Sequence, residues 1–183
     1  MSYRNAVKKT PESLAVVKQQ VDGLRFFQAL TGVKGLIGRS FAHVSDPSEN
    51  GQWDQFYPDT HKWQGTGEFT EWRWVGDVSI DQASGAILGV AAAFDLVEDA
   101  AVKEAAAAFM SDLADHVWDH DLSFHDPDGK PTKYGHVDGE MLEGWPLPNG
   151  LAAVCALAWF KIAHHMTGAE RFKQYYDELA YNR

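Results

Sequence analysis

Cysteine is almost absent from this chain. The single one, Cys155, lies in the apolar run "LAAVCALAWF" and reads as a core residue, so no intramolecular disulfide can form. Positive charge is scarce: 16 Lys and Arg stand against 26 Asp and Glu, a formal net charge of −10. That excludes a nucleic-acid partner, because binding phosphate needs clustered Lys and Arg. No apolar run approaches the length of a membrane span, and "MSYRNAVKKTPESLAVVKQQ" has no continuous apolar stretch of the signal-peptide kind. The sequence therefore reads as soluble, with no membrane partner and no assignable compartment. "TGVKGLIGRSF" lacks the GxxxxGK[ST] pattern, so it is not a phosphate loop, and no cofactor motif occurs elsewhere.

What is present is an ordinary globular composition, 45% hydrophobic and 23% charged over 183 residues, which predicts one folded domain spanning 1–183. Helical patterns dominate. In "TPESLAVVKQQVDGLRFFQALTG", Thr10 can cap a helix, Pro11 and Glu12 suit its first turn, and Gly32 suits its end. Leu14, Val17, Val21, Leu24, Phe27 and Leu30 recur at three- and four-residue steps and define one buried face. "SIDQASGAILGVAAAFDLVED" and "AAVKEAAAAFMSDLADHVWDH" predict a helical hairpin. Its stripes are Ile80, Ala83, Ile87, Val90, Ala91 and Phe94, then Val102, Ala106, Phe109, Leu113 and Val117. Gly85 and Gly89, four apart, would admit a closely packed neighbour. "GLAAVCALAWFKIAHHMTG" predicts a buried helix stopped by Gly168, and "AERFKQYYDELAYN" a last amphipathic one.

Two long segments interrupt this pattern. Residues 33–78 are rich in Gly, Asp, Pro and aromatics, and only "GEFTEWRW" alternates well enough for a short strand. The second, "DLSFHDPDGKPTKYGHVDGEMLEGWPLPNG", holds a strong turn signal in "DPDGKP". The expectation is a mainly α domain of about five helices, with long loops carrying function.

The chemistry-bearing residues gather in those loops. Asp77, Ser79 and Asp81 alternate at a helix start, where Asp and Ser cap free N–H groups; both acids could also face a cleft as an acid–base pair. A calcium loop is excluded, since Gln82 and Leu88 stand where glycine and glutamate are needed. Glu140 and Glu143 are further acid–base candidates. Five of seven tryptophans, Trp53, Trp63, Trp72, Trp74 and Trp145, fall in the loops, near Phe56, Tyr57 and Tyr134. Aromatic faces among acids, arginine and histidine are what a sugar groove requires. Trp72, Trp74, Trp145, Tyr134, His136 and Arg39 are accordingly the substrate-binding candidates. Arg39 could also pair with a loop carboxylate. His116 and His120 share a helix face, but no further ligand follows at a recognised spacing, and no metal site is assigned.

"GVKGLIGRSF", "WRWVGDVSIDQASGAILGVAAAFDLV", "HDPDGKPTKYGH" and "GLAAVCALAWFKIAHHMTGAERFKQYYDEL" occur in that order. Together they resemble a bacterial subgroup of the six-hairpin glycosidase-like superfamily. Its most specific element here is Trp74, Gly76, Asp77, Ser79 and Asp81. The resemblance implies an (α/α) toroid whose inner helices and loops line a cleft for an oligosaccharide or polysaccharide. It further implies glycoside hydrolysis or elimination, with Asp77 and Asp81 the first acids to test and His136 or Tyr134 as the base of an elimination. A complete ring takes about twelve helices, so about five would make roughly half of one, exposing faces that favour assembly of copies. The alternative is a non-catalytic sugar-binding or assembly module derived from such a ring.

Overall fold

A computed structural model describes residues 2–46, 61–139 and 149–181. Among these, six helices dominate: α1 (Ser2–Lys8), α2 (Pro11–Thr31), α3 (Ile80–Leu96), α4 (Ala100–Asp119), α5 (Gly150–Thr167) and α6 (Glu170–Tyr181). The mainly α expectation holds. The short α1 is an addition to the expected set. So are five short strands: β1 (Ser40–His43), β2 (Lys62–Gln64), β3 (Trp72–Val75), β4 (Ser123–His125) and β5 (Pro131–His136). Of "GEFTEWRW", only the last three residues and the Val beyond supply β3; Gly67–Phe69 form a 3₁₀ turn.

The helix ends follow their capping residues. Thr10 accepts from the Ser13 N–H at 3.2 Å, and Gly32 closes α2 at φ 69°. Ser79 and Gln82 form a capping box at the start of α3. Asp99 and Asn149 accept from the third residue beyond them, and Gly168 ends α5 at φ 67°.

The helices lie in two layers. α3 and α5 run parallel, since Ser84 Oγ lies 3.9 Å from Cys155 Sγ and His165 donates to Asp95 at 2.8 Å one end further on. α2, α4 and α6 form the other layer, also parallel. Lys18 pairs with Asp99 and the buried Gln28 side chain donates to the Phe109 carbonyl, while Ser111 and Asp115 meet Arg171 and Trp118 stacks on Tyr175 at 4.1 Å. The core between the layers holds Val21, Leu30, Ile87, Val90, Phe109, Leu113, Phe160 and Phe172.

Both sheets cap one end of this core. β1, β3 and β2 pair antiparallel in that order, with Phe41 and Trp63 both opposite Trp74. β4 and β5 form a bulged hairpin. Gly35, at φ 81°, lets the chain after α2 press on α4: a methyl group there would sit 2.0 Å from the Asp112 carbonyl oxygen.

Gly85 and Gly89 do not admit a neighbour among the described residues; nothing lies within 4 Å of a methyl group built on either. They sit mid-helix beside Leu88, which is 70% exposed. Each glycine should therefore only weaken α3. Gly85→Ala and Gly89→Ala are expected to stabilise the fold by about 1 kcal/mol each in urea unfolding. A loss of stability would show that another surface approaches these two backbone positions.

Candidate functional site

The link between β3 and α3 is four residues long, Gly76 to Ser79, and it gathers distant parts of the chain. Asp77 adopts φ 60°, the left-handed region that Asp tolerates better than bulky residues. Its N–H donates to the Asp126 carboxylate, 3.0 Å from Oδ2 and 3.3 Å from Oδ1. The carbonyl of Asp77 accepts from Arg39 Nε at 2.5 Å. On its side chain, Oδ1 accepts from the Lys133 N–H at 2.5 Å, and Oδ2 lies 3.8 Å from Arg39 Nη2. Arg39 in turn lies over the Tyr134 ring, 5.6 Å from its centre, and the Lys133 ammonium approaches the same ring at 5.2 Å.

Gly76 is what allows the close approach. A methyl group there would fall 2.5 Å from Asp126 Oδ2 and 2.7 Å from Trp63 Nε1. Burial pushes the Asp126 carboxyl above the ordinary carboxylate range. The charges of Asp77 and Asp128 add to this, while the Asp77 N–H and the Trp63 indole oppose it. The Trp63 N–H nevertheless makes no well-formed hydrogen bond, and neither does that of Trp74.

Of the residues singled out in the sequence, Arg39, Asp77 and Tyr134 thus meet. Asp126 completes the group in place of Asp81. Asp81 is exposed in the first turn of α3, favourable beside the positive end of the helix, and takes no part in the bonds joining Asp77, Asp126, Arg39 and Lys133. Asp126 reads in the sequence only as part of the "DPDGKP" turn.

The tryptophans require correction. Trp74 is wholly buried and stacks on Trp63 with ring centres 6.1 Å apart, so it is a core residue and not a rim. Trp72 is half-buried, edge-on to Phe26 at 5.1 Å and His43 at 5.2 Å, where it fastens β3 to α2. His136 sits half-buried on β5, 3.9 Å from Asp138. Glu140, Glu143 and Trp145, with Trp53, Phe56 and Tyr57, lie outside the described residues.

A second cluster adjoins Asp126. The rings of His116 and His120 are 4.2 Å apart and those of His120 and His125 are 4.6 Å apart. Among the described residues, no group of three or more His, Cys, Asp or Glu is placed to hold a metal ion. His116 is buried with both nitrogens committed: Nδ1 lies 3.0 Å from the Lys34 carbonyl, and Nε2 accepts from the His125 N–H at 3.1 Å. Nδ1 must therefore carry the proton, and the ring is neutral. Burial, then the neighbouring His120 and His125, lower the His116 pKa to about 4.

That shift fixes the sign of an acid effect. The unfolded chain takes up a proton near pH 6.5, the folded chain only near pH 4. Stability is thus unaffected above pH 6.5 and falls as the pH drops towards 4, by about 3 kcal/mol from this residue. Urea unfolding across that range should show the loss. His116→Gln should be less stable at pH 7 but lack this part of the slope; parallel pH curves would remove His116 as the cause.

Comparison with known proteins adds no relative to this geometry: no family model, no curated protein and no solved structure matches the chain.

Proposed function

We propose that the chain is a carbohydrate-binding helical domain of the (α/α)-toroid type, with its ligand site where Arg39, Asp77, Asp126 and Tyr134 meet. The observation that carries this reading is the left-handed Asp77, tied to Arg39, Asp126 and Lys133, with the Asp126 carboxyl raised beside it. Left-handed non-glycine backbone concentrates at functional sites. Two carboxyl groups in unlike surroundings are the equipment of glycosidic hydrolysis. Asp126 would protonate the leaving oxygen. Asp77, facing Arg39, would supply the carboxylate that activates water or attacks the anomeric carbon. Tyr134, 45% exposed, offers an aromatic face to a sugar ring.

The layering supports the toroid element. Helices alternate between two layers and run parallel within each, the arrangement of an arc of such a ring. The N-termini of α3 and α5 fall at the same end of their layer, and Asp77 immediately precedes the α3 cap region.

A non-catalytic module is the second reading, favoured by a specific observation. Both carboxylates already accept from backbone N–H groups, as structural ties do. An assembly role draws on the α3–α5 layer, where Leu88, Leu151 and Val154 are exposed.

Titration with neutral and uronate-containing oligosaccharides, followed by tryptophan fluorescence, tests the proposal. A saturable response to one class is expected. For the hydrolase, Asp126→Asn should cut turnover by about 10²–10⁴ and leave sugar affinity within a few-fold. Binding without turnover in the wild type would select the non-catalytic module. A flat response across the panel would refute carbohydrate binding.

A further inference from the structure

Five of the eight histidines, His61, His116, His120, His125 and His136, gather around the turn that carries Asp126. Their hydrogen bonds are one-sided. His116 has no nitrogen to spare, as described above. His120 Nδ1 lies 2.7 Å from the His116 carbonyl, and His125 Nδ1 lies 3.0 Å from the Gly129 carbonyl. A carbonyl oxygen can only accept, so Nδ1 carries the proton and Nε2 is the basic nitrogen of both rings. The neutral cluster is internally consistent: three imidazoles lie against one another, tilted by 34° and 42°, and each N–H bonded within it finds an acceptor.

Protons disturb that arrangement. A charge on His120 stands 4.2 Å from the His116 ring and 4.6 Å from the His125 ring. His125 meets His120, with His136 on β5 on another side and the Asp128 carboxylate near it. Asp128 is itself held by Lys130 and faces His61. Around His116, the Lys34 side chain is turned to Asp112 and Asp115. Charging two rings of the cluster therefore places like charges in contact, beside an Asp128 carboxylate already shared with Lys130 and His61.

The consequence reaches the carboxylate site through the chain. His125 is bound by its own N–H to His116 Nε2, and the next residue is Asp126, which accepts from the Asp77 N–H. We propose that the His116–His120–His125 cluster is a proton-operated latch that holds Asp126 against Asp77 near neutral pH and releases it in mild acid. The latch rests on the carboxylate site proposed above, whose regulation it would be. It predicts that the site is assembled when the imidazoles are neutral and opens when His120 and His125 are charged.

The test uses the full chain without sugar, so that its failure is separable from failure of carbohydrate binding. In a pH titration followed by NMR, the amide signals of His125, Asp77 and Lys133 are watched with the ring signals of His120 and His125. The expected result is one common midpoint for the three amides and the ring signals. His120→Gln, which removes one titrating ring, should displace that midpoint or remove roughly half of the amide shift. If that variant does not fold, His125→Gln, which keeps a side-chain donor for the Gly129 carbonyl, is read in the same way. The latch is overturned if the rings titrate while the Asp77 and Lys133 amides stay fixed. It is equally overturned if the amide transition persists unchanged in the variant, which would assign it to the carboxyl of Asp126.

Discussion

The left-handed backbone at Asp77 is the constraint on which the assembled end of the molecule depends. A non-glycine residue in that region costs about 1–2 kcal/mol. Each charge-assisted hydrogen bond it makes returns about 1.5–3 kcal/mol. Asp77 has several: its N–H to Asp126, its Oδ1 from Lys133, and its carbonyl from Arg39. The bonds outweigh the strain, and they do so by joining segments far apart in sequence. β3 stops, α3 starts, the β4–β5 turn docks and Arg39 is fixed over Tyr134, all through one residue. Glycine at 77 would take the same backbone angle but carry no side chain to hold Lys133.

The helical layers place that residue. α2 is keyed to α4 by a polar pair inside an apolar contact, with Gln28 Nε2 on the Phe109 carbonyl and Arg25 on Asp112 at 2.7 Å. Gly35 brings the following segment onto the same turn of α4, and that segment delivers Arg39. Lys34, one residue earlier, gives its carbonyl to His116. The α4 helix thus serves the carboxylate site and the histidine cluster through the same short stretch of chain. On the other layer, α3 and α5 leave Leu88, Leu151 and Val154 in solvent, so the two layers differ sharply in how fully they are covered.

The helices were legible because their signals are local. Thr10 with Gly32, Ser79 with Gln82, and Asn149 with Gly168 mark ends that hydrogen bonds within four residues decide. α1 is seven residues long, too short for a periodic stripe to show. The strands are three to six residues and were mostly hidden for the same reason. The tryptophans misled because aromatic residues in a loop look available to a ligand. Alternation in Trp72-Arg73-Trp74-Val75 instead puts both rings on one face of β3, where Phe26 of α2 and Trp63 of β2 cover them. Arg39, Asp77 and Tyr134 were visible as candidates by residue type. Their meeting with Asp126, 49 residues beyond Asp77, was not, because such a contact is fixed by tertiary packing alone.

Asp126 shows why a turn signal and a site signal cannot be weighed as rivals. In "DPDGKP", Gly129 takes φ 75° to close the turn and its N–H reaches the Asp126 carbonyl at 2.9 Å. Asp128 accepts from the Lys130 N–H at 3.1 Å, as an Asp in a turn should. The turn leaves the Asp126 side chain unused, and the Gly129 carbonyl is left to hold His125. A tight turn is rigid, and a rigid turn is what a carboxyl needs if it is to meet a backbone N–H on another segment at 3.0 Å. The composition that makes the stretch look like simple solvated punctuation is therefore the physical requirement for its placing an acid accurately.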